Sequence, residues 1–263
     1  MIALAASRLR RRLRGGGLSP GAHSRLRTGL AGPFLGLLAA LVPMAAHAQA
    51  YQCTPPSGPV SVPRIEQDGP TRRMPVSGYT LALSWSPEFC RNRQDNPRNA
   101  SQCSGSNGRF GFIVHGLWPN GRGTSYPQWC GARRQPDPAL VRQHMCMTPD
   151  ARLLAHEWAK HGSCMVGTPQ TYFRVTQTLY NVLRWPDFDR LSRRDGLTAG
   201  DIRAAFADAN PLWEVEHVGL TLNERGWLEE MRLCYGRNFR PVRCAASRFG
   251  PADDAPVRIW RGL

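Results

Sequence analysis

The chain is almost without lysine: of its 34 basic residues one is Lys160 and the rest are arginine. No Cys-x-x-Cys spacing occurs among its eight cysteines, at 53, 90, 103, 130, 146, 164, 234 and 244, so their spacing gives no support to metal use. The zincin pattern His-Glu-x-x-His is also missing, because the fourth position after His156 is Lys160. The second histidine, His161, comes one residue late, so the two imidazoles diverge by about 140° on a helix, and an ammonium between them would repel a cation. No metal and no cofactor is expected. There is no internal repeat and no regular βαβ alternation, and strands mixed with clustered helices indicate an α+β fold.

Residues 1–48 contain no acidic residue and no cysteine, but they hold seven arginines. An apolar run from Leu30 to Ala46 follows this basic front, broken by Pro33 and Pro43. It is too short and too interrupted for a membrane span, and it ends in the small-x-small pattern Ala46-His47-Ala48. We read 1–48 as a secretory signal cleaved near Ala48. The expected protein is exported, periplasmic or extracellular, with no stable membrane association afterwards. Removing those seven arginines from a formal net charge of +15 leaves +8, which suits a polyanionic partner. All eight cysteines follow the leader, and an even count in an exported chain implies disulfides. Cys90 with Cys103 and Cys234 with Cys244 would close local loops. The other pairings stay open.

Residues 49–76 are rich in Pro, Ser and Gly without periodicity, which predicts a poorly ordered arm tied down by Cys53. The catalytic domain is expected over 77–263. Tyr79–Trp85 and Phe110–His115 read as strands, with 91–109 a long loop between them. Gly116–Gly121 reads as a turn, which would put His115 at a strand end, a common place for a working residue. A core histidine donating to a backbone carbonyl is the competing reading. Helices are expected over 138–147, 150–162, 172–184 and 187–194, and a capping box at Thr198–Asp201 opens another. Strands over 213–223 and 227–235 would form a hairpin. His217 reads as a strand-surface histidine and His144 as a helix-surface one.

The densest chemistry lies in His156-Glu157-Trp158-Ala159-Lys160-His161-Gly162-Ser163-Cys164. On a helix, His156 and Lys160 lie roughly 40° apart, as do Glu157 and His161, and all four fall within an arc of about 140°. Trp158 points elsewhere and can anchor the helix in a core. Two imidazoles, a carboxylate and an ammonium on one face suit acid-base chemistry on an anion. A solvated face with scattered charges is the bland alternative.

This segment, together with Phe112-Ile113-Val114-His115-Gly116-Leu117-Trp118-Pro119, resembles the two active-site segments of the ribonuclease T2 family. The stretch from Tyr79 to Cys90, and Arg232-Leu233-Cys234-Tyr235 with Cys244, are similar to the family's first strand and C-terminal disulfide region. The resemblance covers roughly residues 77–245. It implies a single disulfide-stapled α+β domain, a central antiparallel sheet with helices packed on one side. It implies metal-independent cleavage of single-stranded RNA by transesterification through a 2′,3′-cyclic phosphate. His161 would be the base, His115 the acid, His156 the phosphate holder, and Glu157 and Lys160 the stabilisers of the phosphorane. Base contacts would fall on Trp118, Asn120 and Tyr126, although core packing explains Trp118 equally well. The chain departs from the family pattern at Ser84, where Gln is common, and at Leu153, where an aromatic is common, so no second base site is assigned. The resemblance also implies a Cys130–Cys164 bridge, which leaves Cys53 and Cys146 to each other. The substrate partner would be RNA, DNA would not be cleaved, and the protein would be a monomer. A non-catalytic RNA-binding or signalling protein on the same scaffold is the alternative.

Overall fold

Alternation along four strands sets up the fold. The computed structural model describes residues 53–131 and 135–262, so the expected leader, 1–48, lies outside the described residues. The strands are β1 (Gly78–Trp85), β2 (Phe112–Asn120), β3 (Val218–Leu222) and β4 (Leu228–Gly236), paired antiparallel in the order β2-β1-β4-β3. The helices are α1 (Ser86–Cys90), α2 (Ala100–Cys103), α3 (Pro138–His144), α4 (Ala151–Lys160), α5 (Pro169–Asn181), α6 (Phe188–Leu191), α7 (Ala199–Ala209) and α8 (Ala246–Phe249). Every second residue of β1, β3 and β4 enters one core: Leu81, Leu83, Trp85, Val218, Leu220, Met231, Leu233 and Tyr235. Against this face pack Trp158 of α4, Tyr172 and Phe173 of α5, and Ile202 and Phe206 of α7.

The opposite face carries Thr80, Trp118, Glu230 and Arg232, as the cross-strand pairs Thr80↔Trp118, Ala82↔Arg232 and Ser84↔Glu230 require. On it the register between β1 and β2 shifts, since Ala82 faces Gly116 while Leu83 faces Val114. His115 is the extra residue of this bulge. Strict alternation would put His115 and Trp118 on opposite faces; the bulge brings both rings to one side, 5.1 Å apart.

The expected turn at 116–121 is therefore corrected: Gly116–Asn120 continues β2, and His115 sits inside the strand, not at its end. Pro119 is tolerated because β2 is an edge strand. Its outer backbone groups are satisfied by side chains and a loop. The Tyr172 hydroxyl bonds both the N–H and the C=O of Leu117, Tyr180 and Thr148 donate to Phe112 and Val114, and the Val114 N–H donates to Met147.

Two further expectations change. His217 lies in a 3-10 turn, Val215–His217, where its Nδ1 accepts from the Glu214 N–H, and the strand begins only at Val218. His144 is buried against Phe173, with burial pushing its pKa down. The loop 91–109 contains a 3-10 turn, Pro97–Asn99, and helix α2.

Four bridges staple the domain: Cys53–Cys146, Cys90–Cys103, Cys130–Cys164 and Cys234–Cys244. Residues 53–76 form no helix or ladder strand, yet they have attachments beyond the one at Cys53. Arg72 and Gln128 exchange two backbone hydrogen bonds, Val60 and Val62 pack on the core, and Asp68 reaches α4. No described helix is long and apolar enough to cross a membrane.

Candidate active site

Helix α4 supplies one wall. Asp150 caps its start by accepting from the Arg152 and Leu153 N–H groups. Its far end is pinned by Cys130–Cys164 and by the Trp129 N–H, which donates to the Lys160 carbonyl at 2.8 Å. Trp129 takes a left-handed backbone conformation (φ 54°), unusual for a bulky residue. Trp158 is buried in the core, and this fixes the rotation of the helix. His156, Glu157, Lys160 and His161 then face a cavity of about 440 Å³. The sheet and the loop after β2 complete it with His115, Trp118, Asn120 and Tyr126, so all eight residues singled out in the sequence line one cavity.

The two walls meet at Glu157. Its Oε2 accepts from Trp118 Nε1 at 2.7 Å, and its Oε1 lies 3.8 Å from His115 Nε2. Gly116 lies beneath, and a Cβ there would collide with the Glu157 carboxylate and the Trp118 ring. Burial pushes Glu157 up to about 7, against the opposing His115 charge and Trp118 hydrogen bond.

The histidines sit in opposite electrostatic settings. Nδ1 of His115 bonds Glu230 Oε2 at 2.8 Å, and this contact passes over the small β1 residues Ala82 and Ser84. Burial disfavours the charged ring, but the Glu230 hydrogen bond and the charges of Glu157 and Glu230 outweigh it, and the His115 pKa is raised. His161 is buried between the rings of Trp118 (5.7 Å) and Tyr126 (5.9 Å). Its Nδ1 has no hydrogen-bond partner among the described residues. Burial, then the charges of Lys160, His156 and His115, push it down to about 3. His156 is lowered by burial and the Lys160 charge, with Asp68 partly opposing, and it stands edge-on to Trp129.

Three contributors were missed in the sequence. Asp68, from the arm, accepts from Lys160 Nζ at 3.0 Å and from Trp129 Nε1 at 3.0 Å, and lies 3.8 Å from His156 Nε2. Burial would raise the Asp68 pKa, but Lys160 bonds it and lowers it. Nothing in the arm's composition marks this aspartate. Glu230 and Arg232 carry a fainter signal, an acid and a base two apart in an apolar strand, which alternation puts on one face. Arg232 Nε donates to Glu230 Oε1 at 2.8 Å. Asn120 is largely engaged, since its amide bonds Thr80 Oγ1 at 3.0 Å, and Tyr126 stacks under the Arg72 guanidinium at 4.6 Å. Among the described residues no cluster of three or more His, Cys, Asp or Glu is arranged to hold a metal.

Fold and site together define an α+β domain, stapled by four disulfides and carrying a histidine-rich cavity. Residues 77–201 match the Ribonuclease T2 family. It is 32% identical over 191 residues to a "Probable ribonuclease" of Haemophilus influenzae, an alignment covering 69% of this chain and 65% of that protein. It is 42% identical over 86 residues to a "Ribonuclease" of Aeromonas hydrophila, covering 33% of this chain and 36% of that one. The chain thus spans less than two thirds of the length of these relatives. In fold it is similar to an RNase-related protein from Calystegia sepium, with a TM-score of 0.54 and 22% identity over 71% of this chain and 98% of that chain.

Proposed function

We propose that the chain is an exported, metal-independent endoribonuclease that cleaves single-stranded RNA by transesterification through a 2′,3′-cyclic phosphate. One observation carries the reading: a single cavity holds two imidazoles in opposite settings, His115 between two carboxylates and His161 buried among cations and aromatics. The first favours imidazolium and the second neutral imidazole, the pair that an acid and a base require. His161 takes the proton of the ribose 2′-hydroxyl, and the 2′-oxygen attacks phosphorus. The bond from phosphorus to the 5′-oxygen breaks, and the proton on His115 Nε2 passes to that oxygen, while Nδ1 stays anchored on Glu230.

Negative charge grows on the non-bridging oxygens. Lys160 and His156 face it with donors, and Glu157 holds Trp118 and stands beside the His115 imidazolium on the other side. Trp118 and Tyr126 offer stacking surfaces for bases. One chain supplies the whole cavity, so the reading needs no second subunit. The leader pattern and the four disulfides favour export. The test is to incubate the protein with RNA and with DNA in EDTA and analyse the ends. RNA fragments with 2′,3′-cyclic phosphates and intact DNA are expected. Activity lost in EDTA and restored by zinc or magnesium would overturn the mechanism.

A further inference from the structure

The cavity extends beyond the residues used so far, to Thr80, Arg232, Ser247 and Arg248. Arg232 uses its Nε on Glu230, and its guanidinium lies 6.0 Å from the centroid of the Trp118 ring. Arg248 is half-buried and has no ion pair among the described residues. Burial and the like charge of Arg232 both lower its pKa. Two guanidinium groups turned to one cavity, with a single acid shared toward His115, repel each other unless an anion joins them.

The segment that delivers Arg248 is held at many points. Cys234–Cys244 ties it to β4 just before α8. Buried Arg203 then donates to the carbonyls of Phe249 and Pro251 and to Asp253, and lies over the Phe249 ring at 3.7 Å. Gly219 lets β3 approach the Arg248 backbone, where any Cβ would collide with its carbonyl. Gly250, at φ 81°, does the same against Leu220. Such fixation of a four-residue helix stabilises one position for Arg248, at the rim of the cavity.

We infer that Arg232 and Arg248 form a second phosphate subsite, which holds a backbone phosphate of the RNA adjacent to the scissile one. The inference rests on the function proposed above. Guanidinium forks suit phosphate oxygens in bidentate geometry, and a polynucleotide threading the cavity presents more than one phosphate. A dinucleoside monophosphate has only the scissile phosphate and cannot use this subsite; a hexanucleotide can.

The test compares Arg248→Gln and Arg248→Lys with the parent on both substrates. Arg248→Gln is expected to lower kcat/KM on the hexanucleotide about tenfold more than on the dinucleoside monophosphate, mainly through KM. Arg248→Lys should recover part of that difference. Equal losses on the two substrates, or no loss on the longer one, would overturn the subsite. Binding of a deoxyhexanucleotide, measured against salt, gives a readout independent of cleavage. The slope of log affinity against log salt should fall by about 0.7 in Arg248→Gln. If the parent cleaves neither RNA while the slope still falls, the catalytic reading fails and the subsite stands; an unchanged slope removes the subsite.

Discussion

The two walls of the cavity are built by different rules. The α4 wall comes from helical spacing within one short segment, and its cap, its buried Trp158 and its bridge all act on that segment. The sheet wall is assembled across three strands, by a bulge in β2, a carboxylate from β4 and small residues of β1 between them. The α4 wall leaves His161 without an acidic hydrogen-bond partner among the described residues, while His115 has two nearby carboxylates, Glu230 from the sheet wall and Glu157 reaching across from α4. Helical spacing brings groups together cheaply, but it cannot give two neighbouring imidazoles opposite charges. That asymmetry needs partners from distant parts of the chain.

Removing either imidazole should break the comparison most severely. His161→Ala and His115→Ala are each expected to lower kcat on RNA by about 10²–10⁴ or more. The pH dependence separates their roles. His161, pushed to about 3, is neutral over the working range, and His115, raised above its ordinary value, is charged up to that raised pKa. Activity in the parent should therefore be highest on the acid side of neutrality and fall as pH rises through the His115 pKa. His115→Ala should lose that alkaline limb in its residual activity. Parent-like rates in either variant would strike that histidine from the mechanism.

Glu230→Gln sharpens the same contrast without removing a ring. The amide keeps a hydrogen bond to Nδ1 but not the charge, so the His115 pKa should drop. The alkaline limb should move to lower pH with it, with rates near the acid optimum far less affected. A profile whose alkaline limb stays in place would show that Glu230 only holds the ring.

The contrast also explains what was legible in the sequence. Four matched groups at helical spacing announce the α4 wall, because a period of 3.6 maps sequence onto space directly. His115 was legible as a residue but misplaced at a strand end. A bulge is set by pairing with β1, and Gly-Leu-Trp-Pro-Asn looks like a turn until that partner strand is known. Glu230 lies 115 residues from His115, so only tertiary pairing reveals its role. His217 and His144 were misread for the same reason, since a 3-10 turn and the packing of α5 override local alternation. Asp68 lies outside the family match, in a stretch with no periodic signal at all.

Asp68 also gives the smallest expected effect. Its carboxylate meets Trp129 and also Lys160 and His156, the two donors a substrate phosphate would meet on the α4 wall. The phosphate must therefore compete with an internal anion. Asp68 is about half exposed, and such pairs contribute only about 0.2–1 kcal/mol. Asp68→Asn should accordingly lower KM by about 1.5–5-fold, with a smaller change in kcat. The sign with pH follows from the lowered Asp68 pKa: the carboxylate competes above it and is neutralised below it. The gap in KM between variant and parent should thus be full at neutral pH and close as pH falls through that value. If Asp68 instead orients Lys160 for the reaction, kcat will fall and KM will hold or rise at neutral pH. Measuring both constants across pH distinguishes a competing anion from a positioning one.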